Sequence, residues 1–258
     1  MPVRENAICL RTIDYSETSQ VVHFLTRSSG VVRLLAKGAK RPKSSAGGAI
    51  DLLAEGDLVF IPSRGEALGT LVEFAETTTH SALRRDARRL YVALYMIELV
   101  GQMVAEGDPH VEVFDLLHGS LARLAHPDAP AGAVLAHYQW RLLEYVGLLG
   151  EFSNCVGCGR PVAETGREIH FSSALGGLLC PSCHIAAGDT LRLDGPTLAG
   201  LKAIQAALAT AQSDGPSAKR VLLPDSEAGA VNRLLAYHIT RQLGHPLKLA
   251  RYAIGPPP

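Results

Sequence analysis

Two different hydrophobic rhythms divide this chain. Up to about residue 80 the apolar residues come in short runs rich in Ile, Val and Leu, at Ala7–Ile13, Gln20–Thr26, Val31–Ala36, Asp57–Ile61 and Leu68–Phe74. Turn residues such as Ser28-Ser29-Gly30 and Arg64-Gly65-Glu66 separate them. Such runs predict strands, and five in roughly 75 residues predict a small barrel or sandwich. From Ser81 the period becomes helical, with Leu83, Ala87, Leu90, Leu94 and Ile97 on one face. Val111–Leu124 and Ala133–Leu148 predict two further helices, broken at His126-Pro127 and Pro130. The helical pattern stops at about 151–187 and then resumes, with Pro196 in a first turn. Asp225 is expected to cap a last long helix that ends at Gly244. The expected organisation is a barrel domain over 1–80, a helical domain over 81–150 and 188–258, and an inserted module over 151–187.

The interruption at 151–187 carries the most distinctive chemistry. Cys155-Val-Gly-Cys158 and Cys180-Pro-Ser-Cys183 each hold two thiols three positions apart, with 21 residues between the pairs. This is the spacing of a tetrahedral four-cysteine zinc site, in which each pair turns tightly around half of the ion. Thiolates are soft donors, so zinc comes first and iron is the main rival. Gly159 and Gly176-Gly177 free the backbone to curl around such a site. The remaining cysteine, Cys9, lies far away in sequence.

Composition adds less. At 258 residues, 47% hydrophobic and 19% charged, the chain has an ordinary globular make-up with ample length for a core. Formal net charge is zero, but residues 1–50 carry eight Lys or Arg against three acids, while 51–80 carry six acids and Arg64 alone. No apolar run follows a basic start at the N-terminus, and the Tyr91–Ala105 stretch is too short to span a bilayer. A cytoplasmic location with reduced cysteines is expected, with no membrane partner.

The cationic excess centres on Lys37-Gly-Ala-Lys-Arg-Pro-Lys-Ser-Ser-Ala-Gly-Gly48, between the third and fourth predicted strands. Lys37, Lys40, Arg41 and Lys43 sit within seven residues, with no acid between Glu17 and Asp51. A cationic loop on a small barrel suits phosphate tracking, because each neutralised phosphate releases counterions. Arg33 adjoins the loop, and Arg11 is a weaker candidate. Equally, such a loop serves solubility alone. Arg84, Arg85, Arg88 and Arg89, with Asp86 among them, read as a solvated helix face.

Several catalytic patterns are absent or incomplete. Cys180-Pro-Ser-Cys183-His184 matches a c-type haem attachment pattern, but no export signal accompanies it. His110-Val-Glu112 followed by a CxxC suggests a zinc deaminase, yet that chemistry requires proline before the cysteine pair and one histidine on the metal. No phosphate loop, dinucleotide fingerprint or nucleophile elbow occurs. A four-thiolate zinc leaves no position for a catalytic water, so the predicted metal is structural and no enzyme is expected.

Taken together the residues resemble the bacterial recombination-repair mediator RecO family. The matching segments are Ile8-Cys-Leu-Arg11 through Asp14-Tyr-Ser-Glu17, Ala36-Lys-Gly-Ala-Lys-Arg-Pro-Lys43 with Gly47-Gly48, and Gly69-Thr-Leu. Tyr95-Met-Ile-Glu-Leu-Val100, Phe114-Asp-Leu-Leu117, Phe171-Ser and Gly176-Gly-Leu-Leu-Cys180 continue the match in order. The resemblance implies an N-terminal OB-fold, a mostly helical domain and an inserted zinc module. It also implies a non-enzymatic DNA repair and recombination function. Such proteins bind single- and double-stranded DNA, anneal complementary strands, engage RecR, and recognise single-strand-binding protein to help load RecA. The alternatives are a zinc-stabilised protein–protein adaptor with incidental DNA affinity, or the deaminase. Stacking aromatics in the barrel are limited to Tyr15, Phe24, Phe60 and Phe74, most of them expected in the core, which points to a backbone-dominated binding mode.

Overall fold

The computed structural model describes residues 1–41, 44, 48–63, 67–162, 168–214 and 223–255. The chain divides by its internal contacts into Met1–Ala129 and Pro130–Pro258.

In the first unit β1 (Val3–Asp14), β2 (Gln20–Thr26), β3 (Gly30–Ala36), β4 (Glu55–Ile61) and β5 (Gly69–Thr78) form a closed barrel. The strand order is β1-β2-β3-β5-β4, with β4 returning to β1, which is the OB-fold arrangement. The β3–β5 pairing is parallel and the others antiparallel. Alternation of side chains fills the interior with Val22, Phe24, Leu34, Leu58, Phe60, Leu71 and Phe74.

β1 is longer than its apolar run predicts, because it serves two neighbours: Val3 to Ile8 pair with β4, and Ala7 to Asp14 with β2. A bulge between Cys9 and Arg11 lets one strand do both. Ala7 and Cys9 point inward before it, and Thr12 lies opposite the interior residue Val22 after it. The extra residue therefore reverses the parity and turns Arg11 and Ile13 outward, the re-aiming that bulges produce. Burial raises the Cys9 thiol pKa far above its ordinary value, so this cysteine is an inert core group.

After β5 the expected helix does not start at Ser81. Residues Ser81–Arg85 form a 3-10 turn, and α1 (Ala87–Met103) begins afresh behind Asp86, whose carboxylate accepts from Arg89 N at 3.1 Å. Of the expected stripe Leu83 and Ile97 are buried and Ala87 is exposed; α1 also buries Val92, Ala93, Tyr95, Met96, Leu99 and Val100. α2 (Val111–Ala125) follows, with His110 at its N-cap. Arg89 donates to the carbonyls of Leu124 (2.7 Å), His126 (2.6 Å) and Ala129 (3.0 Å), satisfying groups that the end of α2 leaves unpaired. Arg84 pairs with Asp51 at 3.3 Å.

Within this unit the Glu55 carboxylate, 8% exposed, receives His80 Nε2 at 2.8 Å and His118 Nδ1 at 2.7 Å. One buried acid on β4 thus ties the exit of β5 to α2.

In the second unit α3 (Ala131–Tyr145) and α4 (Gly195–Asp214) pack against α5 (Asp225–Leu243), with a short α6 (Ala250–Ala253) beyond. Gln139 donates to Asn232 at 2.7 Å, and Asn232 donates to the Gly132 carbonyl at 2.9 Å, so the polar pair in this helical core is satisfied. Asp194 accepts from Thr197 N at the start of α4, and Pro196 lies in its first turn. Pro224 is the N-cap of α5, so Asp225 is its first helical residue and the helix starts one position earlier than expected. Gly244 ends it in the left-handed region at φ 76°. Between α3 and α4, β6 (His170–Ser172), β7 (Gly177–Leu179) and β8 (Leu191–Arg192) make a sheet of order β7-β6-β8. A chain of rings joins it to the helices. Trp140 and Phe152 lie 5.0 Å apart, Phe152 stacks on Phe171 at 5.4 Å, and Phe171 meets His238 edge-on at 5.2 Å. Among the described residues no helix is long and apolar enough to cross a membrane.

Candidate metal centre and nucleic-acid interface

The β6–β7 hairpin brings the two cysteine pairs together. In each pair the first carbonyl accepts from the turn that follows: Gly159 N to Cys155 O at 2.8 Å, and Cys183 N and His184 N to Cys180 O at 3.1 Å. The pairs are cross-linked by Val156 N to Leu178 O (2.9 Å) and by Cys180 N to Cys155 Sγ (3.4 Å). Gly157 has to be glycine, since a Cβ there would lie 2.9 Å from Cys183 Cβ and 3.1 Å from its sulfur.

The sulfurs of Cys155, Cys158, Cys180 and Cys183 all lie within 4.8 Å of one another. This is a potential metal-binding arrangement, and its electrostatics fit a cation. Arg160 donates Nε–H to Cys158 Sγ at 3.5 Å and lowers that thiol's pKa to about 6. Cys183 is pushed up to about 12, through its hydrogen bond with Cys180, burial and the neighbouring sulfurs. Four thiolates at this separation repel one another unless a positive ion lies among them. The donor set, all sulfur and fully committed, suits a closed structural zinc site.

The cationic candidates lie on the barrel. Lys37 and Arg41 are exposed, and neither has an ion-pair partner among the described residues. Lys40 is held by Asp14 at 2.7 Å, and Arg33 is ion-paired with Glu106. Lys43 lies outside the described residues. The base of the loop is fixed to the β1–β2 turn, with Gly38 N donating to Ser19 Oγ at 3.1 Å and Lys40 N to Thr18 O at 3.1 Å. Arg11 is exposed on β1, opposite His23. Of the four barrel aromatics, Phe24, Phe60 and Phe74 are core, whereas Tyr15 is 64% exposed at the end of β1. His110, the histidine of the deaminase alternative, has its Nε2 bonded to Asp108 at 3.0 Å.

Strand order, a cationic loop and an appended helical unit with four clustered thiols place the chain among OB-barrel proteins with a cysteine-bearing extension. The profile described as "Recombination protein O N terminal" matches residues 1–79, and "Recombination protein O C terminal" matches 84–251. The chain belongs to the recombination protein O (RecO) family. A protein of Nocardioides sp. named DNA repair protein RecO is 34% identical over 251 residues, covering 94% of this chain and 97% of that one. Its namesake in Anaeromyxobacter dehalogenans strain 2CP-C is 32% identical over 242 residues, 93% of each chain. A third, from Rhodopirellula baltica, is 33% identical over 177 residues, which are 69% of this chain and 65% of that one.

Proposed function

We propose that the chain is a non-enzymatic DNA-binding mediator of recombinational repair, acting in the cytoplasm on the nucleoid. It binds single- and double-stranded DNA, anneals complementary strands and, with RecR and single-strand-binding protein, helps load RecA. The observation that carries this reading is the OB barrel with a cationic loop anchored beside it, in a chain whose relatives are named DNA repair proteins. The partner proteins rest on the family resemblance alone. Lys37 and Arg41 are the foremost phosphate contacts, and Lys43 joins them on sequence. Lys40, Arg33 and Arg11 contribute second, since Asp14 and Glu106 already neutralise the first two in part.

Cys155, Cys158, Cys180 and Cys183 would hold one zinc ion, which supplies cross-linking of the hairpin and no open coordination position. That closure supports a binding protein over a metal-dependent deaminase. The test is titration of the protein onto fluorescent DNA over a range of salt concentrations. Replacing Lys37, Lys40, Arg41 and Lys43 by Ala should weaken binding and flatten the log–log salt slope by ~0.7 for each single-strand phosphate no longer neutralised. Weak binding without salt dependence in the unaltered chain would favour the adaptor instead.

A further inference from the structure

The four clustered sulfurs differ in access. Cys155 and Cys180 are buried, Cys183 is half-buried, and Cys158 alone among them is exposed. The turn after the first pair adds a cation to that open sulfur. Gly159, in the left-handed region at φ 75°, brings the chain back so that the Arg160 carbonyl accepts from Cys155 N at 2.9 Å. Arg160 is thereby fixed next to Cys158, and its Nε–H donates to the Cys158 sulfur at 3.5 Å. Across the two pairs, Cys158 Sγ lies 3.9 Å from Cys180 Sγ. Reactive cysteines sit in electropositive, accessible surroundings, often with a second thiol poised to resolve the oxidised sulfur. Cys158 has all three features.

We propose that Cys158 is a modification site for hydroperoxides, with Cys180 as its resolving partner, so that oxidation replaces bound zinc by a Cys158–Cys180 disulfide. The inference rests on the four-cysteine zinc site proposed above and adds a reaction of the chain's own sulfurs. The Cys158 thiolate attacks hydrogen peroxide: an S–O bond forms, the O–O bond breaks and hydroxide leaves. The sulfur is oxidised by two electrons to a sulfenic acid and the peroxide is reduced. The Cys180 thiolate then attacks the same sulfur, so an S–S bond forms, the S–O bond breaks and a second hydroxide leaves. Solvent protons convert both hydroxides to water. Two thiolates, one peroxide and two protons thus give one disulfide and two waters.

Only Cys155 and Cys183 then remain as thiolates, and two ligands do not hold a tetrahedral structural zinc. The two sulfurs of the new bond need close only from 3.9 Å to ~2.05 Å. The bond joins the first turn to the residue that follows β7, two pieces already linked by Val156 N to Leu178 O at 2.9 Å. Oxidation therefore releases the ion while a covalent cross-link keeps the hairpin closed, which makes the change reversible by a reducing thiol and zinc. Buried Cys9, on β1, takes no part.

The test treats the full-length, reduced, zinc-loaded protein with millimolar hydrogen peroxide. Zinc release is followed with a chromogenic chelator, and the cysteines are mapped by mass spectrometry with and without dimedone, which traps sulfenic acid. The expected products are free zinc, a peptide pair linked through Cys158 and Cys180, and, with dimedone, an adduct on Cys158. Cys9 should stay a free thiol. Dithiothreitol with added zinc should restore the starting protein, and Trp140 emission should shift less on peroxide treatment than on chelation. Arg160→Gln retains all four ligands, so it should bind zinc normally and release it to peroxide about fivefold more slowly, the worth of one exposed charge contact. A first adduct on another sulfur, a bridge within either CxxC pair, or release from Arg160→Gln at the unaltered rate would overturn the assignment. Zinc retained under peroxide would do the same. Absence of zinc from freshly purified, reduced protein would overturn the metal reading itself, and metal analysis shows this before any peroxide is added.

Discussion

Phe171 is the residue on which the cysteine-bearing hairpin and the second unit's helices both depend. It has no exposed surface, stacks on Phe152, and meets His238 at right angles. Truncating a fully buried phenylalanine to alanine costs about 3–5 kcal/mol, and the two ring contacts fall within that sum at ~0.5–1.5 kcal/mol each. Phe171→Leu retains most of the volume but neither ring contact, so roughly 2 kcal/mol is expected. With a urea m-value of ~2 kcal/mol/M, the unfolding midpoint should fall by ~2 M for Phe171→Ala and ~1 M for Phe171→Leu. Trp140 is the only tryptophan in the chain, and its ring lies 5.0 Å from Phe152. Its emission therefore follows unfolding of this unit. A midpoint shift below ~0.5 M for the alanine variant, or a leucine variant as damaged as the alanine one, would refute the argument that the ring chain unites hairpin and helices.

Removing metal with a strong chelator should shift Trp140 emission, because the hairpin carrying Cys180 holds Phe171. Zinc analysis of protein purified under reductant should give one ion per chain, absent from Cys158→Ala. Glu55→Ala should cost about 3 kcal/mol or more, since it strands the buried His80. His118→Ala should cost under ~1 kcal/mol because that side chain is 58% exposed. Hydrogen exchange over β4 and α2 separates the two, and equal effects would contradict the buried-pair reasoning. His238 accepts from Ser173 at Nδ1 (2.7 Å) and donates from Nε2 to the Leu148 carbonyl (2.9 Å), and burial lowers its pKa. The unfolded chain therefore takes up this proton first as pH falls below ~6.5. Stability of the second unit should decline from pH 7.5 towards 5.5, and more weakly in His238→Gln, when urea midpoints are compared.

Much of the architecture is legible in local sequence. The five strands, the four predicted helices from Val111 onward and the paired thiols are each set by neighbours within a few residues, through alternation, helical period or CxxC spacing. What was not legible depends on residues far apart. The outward turn of Arg11 and Ile13 comes from one bulge, which strict alternation along β1 would have assigned to the interior. The partial neutralisation of Lys40 and Arg33 comes from Asp14 and Glu106, 26 and 73 positions away. The later start of α1, at Ala87 and not Ser81, follows from a 3-10 turn that leaves Asp86 free to cap. His23 carries no motif. Only the register of β1, β2 and β3 places it between two arginines.

The Glu55 cluster has a practical bearing on where this chain can be cut. The two family profiles meet between residues 79 and 84, which invites expression of the barrel alone. A fragment ending at residue 80 would keep Glu55 and His80 but lose His118, and would remove the Glu106–Gly107 segment that bridges Val31 on the barrel wall. Extending it to Ala129 retains α1, α2 and the carbonyls that Arg89 satisfies. For crystallisation or for testing the barrel by itself for DNA binding, the serviceable truncation point lies some fifty residues downstream of the sequence boundary, at 129.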